Sequence, residues 1–167
     1  METRPLELKK IGEGAVEAAL DKADRYRLLN DPGQSESICL DVLEVSPESQ
    51  RAKRTLVLAL TDQFAAAETK SRVKLARRVA AELTDEYDRT YHEALVWERE
   101  GRSYLAKGLS GSFAYECLRE AMDRFDRAGE LREQGNDDAL LRYNACLRTI
   151  QSHRLEPRPE EPELPLE

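Results

Sequence analysis

The sequence predicts an all-α protein, and three observations lead to that class. No proline occurs between Glu48 and Gln151, and leucine, alanine, arginine, glutamate and aspartate dominate this stretch, so helices there have few interruptions. Apolar residues recur at helical spacing, as in Leu56, Leu60 and Phe64, and cap-and-proline signals mark helix starts. At 167 residues and 40% hydrophobic content, the chain can bury one ordinary core or a short stack of helices. We therefore expect a single all-α domain.

The second and third helices are predicted from their start signals. Asp31 offers a capping carboxylate, Pro32 occupies the first helical position, where its missing N–H costs nothing, and Gln34 can cap in return. Ser46 and Pro47 repeat this pattern, with the serine hydroxyl as the expected cap. The two starts lie roughly sixteen residues apart, which is the spacing expected for the two helices of a helical hairpin.

The last helix has a polar start and an apolar face. We expect Asn136 to cap it, and Asp137 and Asp138 to favour its first turn through the helix dipole. Leu147 and Ile150 lie on its apolar stripe, so this helix is expected to cover the open end of the core. In all we predict about seven helices. Their expected spans are 13–29, 32–45, 48–66, 70–84, 87–107, 112–131 and 137–153.

One face of the fifth helix combines two bulky residues with a gap. Trp97, Gly101 and Tyr104 follow each other at spacings of four and three residues, so a neighbouring helix could sit against Gly101. This pattern resembles the first-helix signature of the tetratricopeptide repeat family, with Glu100 in the place of the usual leucine.

The second helix of the repeat has its landmarks too. Ala114, Leu118 and Ala121 follow the family pattern, with Leu118 in the place of the usual aromatic residue. A second copy, without the tryptophan, is expected upstream over residues 15–49. Its landmarks are Ala23, Tyr26, Ser35, Cys39, Val42 and Pro47. The chain thus resembles small bacterial proteins of this family over roughly half to two-thirds of its length.

The resemblance implies stacked antiparallel hairpins in a right-handed superhelix, closed by a C-terminal capping helix. A repeat of about 34 residues needs a turn near Glu68 and Thr69, so we expect Thr69 to begin a separate fourth helix. Without that break, the third and fourth helices would form one long rod. In this family the first helices of the hairpins line a concave groove that holds a peptide or a partner helix.

The groove positions of the family imply partner-binding residues in this chain. Carried over one by one, the candidates are Arg51, Arg54, Leu58, Arg99 and Arg102. The same rule places Glu17, Asp21, Asp24 and Glu98 in the groove. Four arginines on one wall could pair with carboxylates, so the expected partner is another protein or peptide, and an acidic one fits best. Relatives that clamp the C-terminal carboxylates of chaperones use groove asparagines, which are absent here, so that ligand is not expected.

Charge and hydropathy exclude several classes of binding protein. The formal net charge of −7 and a pI near 5.1 argue against a general nucleic-acid or anionic-membrane binder. No apolar stretch approaches the roughly twenty residues that span a bilayer. The N-terminus lacks a hydrophobic secretory core, so we expect a cytoplasmic location.

No constellation of residues predicts catalysis, a cofactor or a metal site. Cys39, Cys117 and Cys146 are widely spaced on apolar helical faces, so we expect buried thiols. His92 and His153 have no histidine or cysteine nearby at a metal-binding spacing. Glycine-rich phosphate loops and nucleophile elbows are missing as well. We therefore expect a non-enzymatic interaction protein without a cofactor.

Two alternatives to a general adaptor stay open. The chain could be a dedicated chaperone for one client, for example in secretion, and would then use the same groove. It could also be a homo-oligomeric scaffold in which Tyr87, Tyr91 and Trp97 form the self-interface. Exposure of these aromatic side chains would favour the scaffold, whereas burial between helices would favour plain packing.

The two ends of the chain differ from its centre. We expect a flexible segment over 1–12, the helical domain over 13–153 and a disordered tail rich in proline and glutamate over 154–167. The tail is either a solvated end or a short acidic recognition peptide. As a recognition peptide, residues 156–167 could fold back onto the groove arginines and compete with partners, since twelve extended residues reach roughly 40 Å.

Overall fold

The protein is all-α, as predicted. A computed structural model describes residues 5–66 and 69–160, and within these ranges the chain forms seven α-helices, one short 3₁₀ turn and no strand. The 3₁₀ turn covers Glu13–Ala15, and the α-helices are α1 (Val16–Leu28), α2 (Pro32–Val45), α3 (Gln50–Thr61), α4 (Lys70–Ala81), α5 (Glu86–Ala106), α6 (Gly111–Leu131) and α7 (Asp138–Ser152). Residues 5–12 of the predicted N-terminal segment and 154–160 of the predicted tail form no helix, and residues 1–4 and 161–167 lie outside the described ranges.

The helices pack in chain order as a series of hairpins. Each helix contacts the next one along the chain, and the connections are short, so sequential neighbours run antiparallel. α1 also contacts α3, and α3 contacts α5. The odd-numbered helices therefore lie side by side in one layer, as in a helical repeat protein.

The start of α2 follows the prediction, whereas the start of α3 does not. Asp31 Oδ1 accepts a hydrogen bond from the Gln34 backbone N–H at 3.3 Å. α3 begins two residues later than predicted, because Ser49 rather than Ser46 is its cap and accepts from the Ala52 N–H at 3.2 Å. Ser46 instead ends α2, where its N–H returns to a carbonyl of that helix.

The break between α3 and α4 is confirmed, although α3 ends at Thr61 rather than at residue 66. Thr69 precedes α4 without capping it through its side chain. Its hydroxyl lies 2.8 Å from the Phe64 carbonyl oxygen and 2.7 Å from that of Ala66, so it bonds back to the preceding turn. Glu68, the other residue of the predicted break, lies outside the described residues.

Three helices end in a left-handed residue that turns the chain sharply. Asn30, Gly108 and Arg154 have φ angles of 60°, 65° and 50° after α1, α5 and α7. In each case the next N–H bonds the carbonyl five residues back: Asp31 to Tyr26, Leu109 to Tyr104 and Leu155 to Ile150. This is the Schellman motif, in which the left-handed residue is usually glycine. Of the three positions, therefore, only Gly108 clearly indicated a helix end in the sequence.

The start of α7 lies one residue later than predicted. Asn136 Oδ1 accepts from the Asp138 N–H at 3.2 Å, but Asp137 occupies the cap position and makes no side-chain cap bond. The prediction of Asn136 as the cap is therefore wrong in position, although its side chain does bond the first turn.

Two apolar clusters form the core. The first lies mainly among α1 to α4, with Leu20, Leu56, Leu60 and Phe64 as large buried side chains. The second lies among α5 to α7 around Phe125. None of the helices in the described ranges is both long and apolar enough to cross a membrane.

α5 and α6 approach each other closely at Gly101, as the predicted gap requires. A Cβ atom here would lie 3.0 Å from Cys117 Cβ and 3.2 Å from the Ala114 carbonyl oxygen. The two backbones can come this close because glycine has no side chain. Ala114, Leu118 and Ala121 on the facing helix are fully buried, as their spacing predicted.

Candidate partner-binding face

The predicted partner-binding residues lie on or beside one layer of the molecule. We call the polar surface of α1, α3, α5 and α7 the odd-helix face. Salt bridges and hydrogen bonds join each of these helices to the next odd-numbered one. The arginines predicted to bind a partner are therefore all engaged within the chain.

Arg51 on α3 is the centre of the first set of contacts. Its guanidinium lies 2.8 Å from Glu17, 2.7 Å from Asp21 and 2.9 Å from Asp24, all on α1. These hydrogen bonds, that to Asp21 first, raise the pKa of Arg51 above its usual range. The side chain nevertheless keeps about a third of its surface exposed, at 34%.

The next contacts join α3 to α5. Arg54 donates to Asp88 Oδ2 at 2.9 Å. Asp62, just beyond the end of α3, lies 2.8 Å from Arg27 and 3.6 Å from Arg99. Both carboxylates lie within reach of an arginine that the sequence assigned to partner binding, Asp88 of Arg54 and Asp62 of Arg99.

Glu98 is the most buried charge on the odd-helix face, with no exposed side-chain surface. Its Oε1 accepts from Arg102 Nε at 3.0 Å and lies 3.5 Å from Arg142 on α7. Arg102 also donates to Thr149 Oγ1 at 3.1 Å. Glu98 Oε2 accepts no hydrogen bond from any residue in the described ranges. Since a buried carboxylate is costly unless it is paired, Arg102 and Arg142 serve to hold α5 and α7 together.

Leu58 has a different environment from the arginines. It is half-buried and packs against the second apolar cluster, between α3 and α5. It therefore exposes only part of an apolar side chain, which lies one helical turn after Arg54 on the same side of α3.

The odd-helix face is balanced in charge rather than basic. Sequence reasoning placed the α1 carboxylates in the groove but did not pair them with Arg51, and it missed Asp62 and Asp88 altogether. A signal for Asp88 was present, because Arg54 and Asp88 are 34 residues apart, as are Arg51 and Glu17. Opposite charges separated by one repeat length meet when the first helices of successive hairpins lie side by side.

The aromatic residues of the proposed self-interface contribute to packing within the chain. Tyr87 stacks on Tyr91 at 5.7 Å between ring centroids, and Tyr91 meets the edge of Phe125 at 5.7 Å. Burial raises the pKa of Tyr91. One face of Trp97 is covered by the Arg77 guanidinium, 4.0 Å from the ring centroid. These contacts favour plain packing over a self-interface for the three residues.

The cysteines and His92 are buried. Burial raises the pKa of each of Cys39, Cys117 and Cys146 to about 12, so their thiols stay protonated at neutral pH. His92 has its Nδ1 2.7 Å from the Asp88 carbonyl oxygen, and burial lowers its pKa. No group of three or more His, Cys, Asp or Glu in the described ranges is arranged to hold a metal ion.

Comparison of the chain with protein-family models, curated proteins and solved structures finds no match. The function therefore has to be inferred from the odd-helix face itself. It presents Arg51, Arg54 and Arg99 in fixed positions, each about a third exposed and each held by carboxylates. Such a surface can exchange these carboxylates for those of another molecule.

Proposed function

We propose that the chain is a tetratricopeptide-like interaction protein that binds another protein along the odd-helix face and catalyses no reaction itself. The observation that carries the proposal is the 34-residue spacing of the pairs Arg51–Glu17 and Arg54–Asp88. It supports a repeat in which equivalent helices lie next to each other. The close contact at Gly101 supports the same assignment, because the family pattern has a glycine at this position.

The weakness of the exposed ion pairs favours binding through Arg51 and Arg54. An exposed pair, such as those of Arg51 with Glu17 and Asp21, contributes about 0–1 kcal/mol, so a partner carboxylate can replace either of these at little cost. Arg54 is paired with the half-buried Asp88, but it keeps 36% of its own side chain exposed to a further carboxylate. The internal pairs also hold both guanidinium groups in place before binding, which reduces the entropy that binding must overcome. We therefore assign recognition of an acidic peptide or helix to Arg51, Arg54 and the adjacent Leu58.

Arg102 has a different role in the proposal. Its partner Glu98 is fully buried, so exchanging that carboxylate would leave an unpaired charge in the interior. We assign Arg102 to holding α5 and α7 together, with Arg99 as a peripheral contact of the binding surface.

A pair of matched variants tests the proposal in the cell from which the chain comes. Arg51→Gln/Arg54→Gln removes two cations from the odd-helix face. Arg119→Gln/Arg127→Gln removes two from α6, where both arginines are also ion-paired and are 45% and 66% exposed. Affinity purification with the wild-type chain and each variant, quantified side by side, should show a partner that only the odd-helix variant loses.

Equal recovery of every partner by all three proteins would contradict the assignment of the odd-helix face. Absence of any partner for the wild-type chain would contradict the interaction function as a whole. Recovery of one client at fixed stoichiometry would instead identify the dedicated chaperone. The proposal includes the cytoplasmic location expected from the sequence.

A further inference from the structure

The first hairpin carries an apolar groove on its outer side. Both α1 and α2 pack against α3 through their buried residues, which leaves the opposite side of each helix at the end of the stack. A groove of about 260 Å³ lies between the two helices on this side. We call it the hairpin groove, and its lining includes Ile11, Ala15, Ala18, Lys22, Ile38 and Asp41.

The hairpin groove is suited to the side chains of another protein. Ile11 and Ile38 are half-buried and pack on the first apolar cluster, whereas Ala15 and Ala18 are exposed. Because an alanine side chain ends at Cβ, a second helix can approach the backbone of α1 closely at these two positions. Small-molecule sites commonly occupy about 300–1,000 Å³, and this groove lies below that range. A protein surface is therefore the better occupant.

One charge of each sign borders the hairpin groove without a partner. Neither Lys22 on α1 nor Asp41 on α2 takes part in an ion pair or hydrogen bond with the residues that the structure describes. Lys22 precedes the turn at Asn30 by eight residues and Asp41 follows it by eleven, so in this antiparallel hairpin the two differ by only about 5 Å in height along the helix axes. A two-fold axis between them therefore places Lys22 of each copy next to Asp41 of the other.

Exposed leucines lie at both ends of the hairpin groove. Leu8 is 95% exposed, and the contact of 4.0 Å between Lys10 and Glu44 places its segment at the end of α2. Leu29 is 68% exposed and follows Lys22 by seven residues, or two helical turns, so it lies on the same side of α1. The two-fold rotation exchanges the ends of the groove, so Leu8 of one copy faces Leu29 of the other. The arrangement thus removes both leucines from water.

We infer that the hairpin groove binds a second copy of this chain across a two-fold axis. The exposed alanines let the two first hairpins approach each other, and two symmetry-related pairs of Lys22 with Asp41 fix their register. The two helices have 13 and 14 residues and are about 20 Å long, so the contact covers about 20 by 20 Å. This is less than the roughly 800 Å² per partner of a standard interface, so the dimer dissociates in the micromolar range.

Sedimentation velocity of the purified full chain at about 5 to 500 µM tests this inference. The wild-type chain should change from monomer to dimer over this range and form nothing larger. Ala18→Lys adds a like charge beside Lys22 and should weaken the dimer about tenfold, whereas Ala81→Lys, at an exposed position at the end of α4, should leave it unchanged. A monomer at every concentration, an assembly that grows beyond the dimer, or equal effects of the two substitutions would overturn the inference.

A pair of charge variants tests the two-fold arrangement itself. Lys22→Glu and Asp41→Lys each replace two attractive contacts of the dimer by two repulsive ones, so each variant alone should dimerise roughly tenfold more weakly. Mixed in equal amounts, the two should form a heterodimer about as stable as the wild-type dimer, because each copy carries the charge that the other needs. A mixture that is no more dimeric than the separate variants would overturn the inference. The partner here is the chain itself, so the result is independent of the proposed function.

Discussion

At the scale of single residues, Gly101 allows α5 and α6 to approach each other closely. The nearest atoms to a Cβ at this position are Cys117 Cβ and the Ala114 carbonyl oxygen, neither of which can rotate away. Gly33 in α2 is a contrasting helical glycine, because a Cβ there would meet only Gln63 Oε1 at 3.8 Å. The two glycines separate the effect of packing from that of helix propensity.

We predict that Gly101→Ala destabilises the protein and that Gly33→Ala does not. Alanine improves helix propensity by about 1 kcal/mol at most, whereas overpacking a core contact costs about 1–3 kcal/mol. Urea denaturation followed by circular dichroism measures both free energies of unfolding. A Gly101→Ala protein as stable as the wild type would mean that α5 and α6 do not pack at this point.

His92 should make stability depend on pH. Burial is the main cause of its lowered pKa, with the Arg54 charge acting in the same direction and Asp88 in the opposite one. The unfolded chain therefore binds the proton more readily than the folded one. The stability contributed by neutral His92 is present above the unfolded pKa of about 6.5 and is lost as pH falls toward the folded value.

We predict that His92→Gln flattens the stability curve between about pH 7.5 and 5.5, above the range in which most carboxylates titrate. One such group can change the free energy of unfolding by at most about 1.4 kcal/mol per pH unit. Unfolding in urea at several pH values gives the slope for each protein. Equal slopes for wild type and variant would show that His92 takes up its proton equally in both states.

At the scale of elements, the odd-numbered helices are held together by two kinds of ion pair. The pairs between α1 and α3 are exposed, whereas Glu98 is buried between α5 and α7. The sequence separation between hydrogen-bonded residues increases as well, from 34 residues between Arg54 and Asp88 to 47 between Arg102 and Thr149. The last hairpin is longer because α5 and α6 each have 21 residues.

We predict that Arg102→Met destabilises the protein more than Arg51→Met does. The first substitution leaves the buried carboxylate of Glu98 with only the longer contact to Arg142, and a buried group that loses its hydrogen-bond partner costs about 1–3 kcal/mol, with more for a charged group. The second removes exposed pairs, which contribute about 0–1 kcal/mol each, and its effect should shrink in high salt. Urea denaturation at low and high salt compares the two, and equal losses would contradict the distinction.

At the scale of the whole molecule, helix order could be predicted because each signal is local. The absence of proline from 49–150, the Asp31–Pro32 start and the Gly101 gap depend on a few neighbouring residues. The start of α3 was predicted two residues too early because Ser46 and Ser49 can both act as N-caps. Only the conformation of the turn between them determines that Ser49 is the cap. The left-handed turn at Arg154 had no signal at all, since arginine rarely adopts that conformation.

The surface of the molecule was harder to predict than its helices. The positions of Arg51 and Arg54 were predicted from the repeat pattern, but their ion pairs with carboxylates of the same chain were not. Asp62 and Asp88 meet arginines from other helices, which depends on the angle at which the hairpins stack. The charge balance of the odd-helix face is likewise a property of the assembled fold.

The central claim is that the odd-helix face binds a partner through Arg51 and Arg54. The most direct test is the dissociation constant of the purified partner, measured by calorimetry with the wild-type chain and both arginine variants. We predict that Arg51→Gln/Arg54→Gln weakens binding about tenfold, or about 1.4 kcal/mol, and that Arg119→Gln/Arg127→Gln leaves it unchanged. The same dissociation constant for all three folded proteins would contradict the claim.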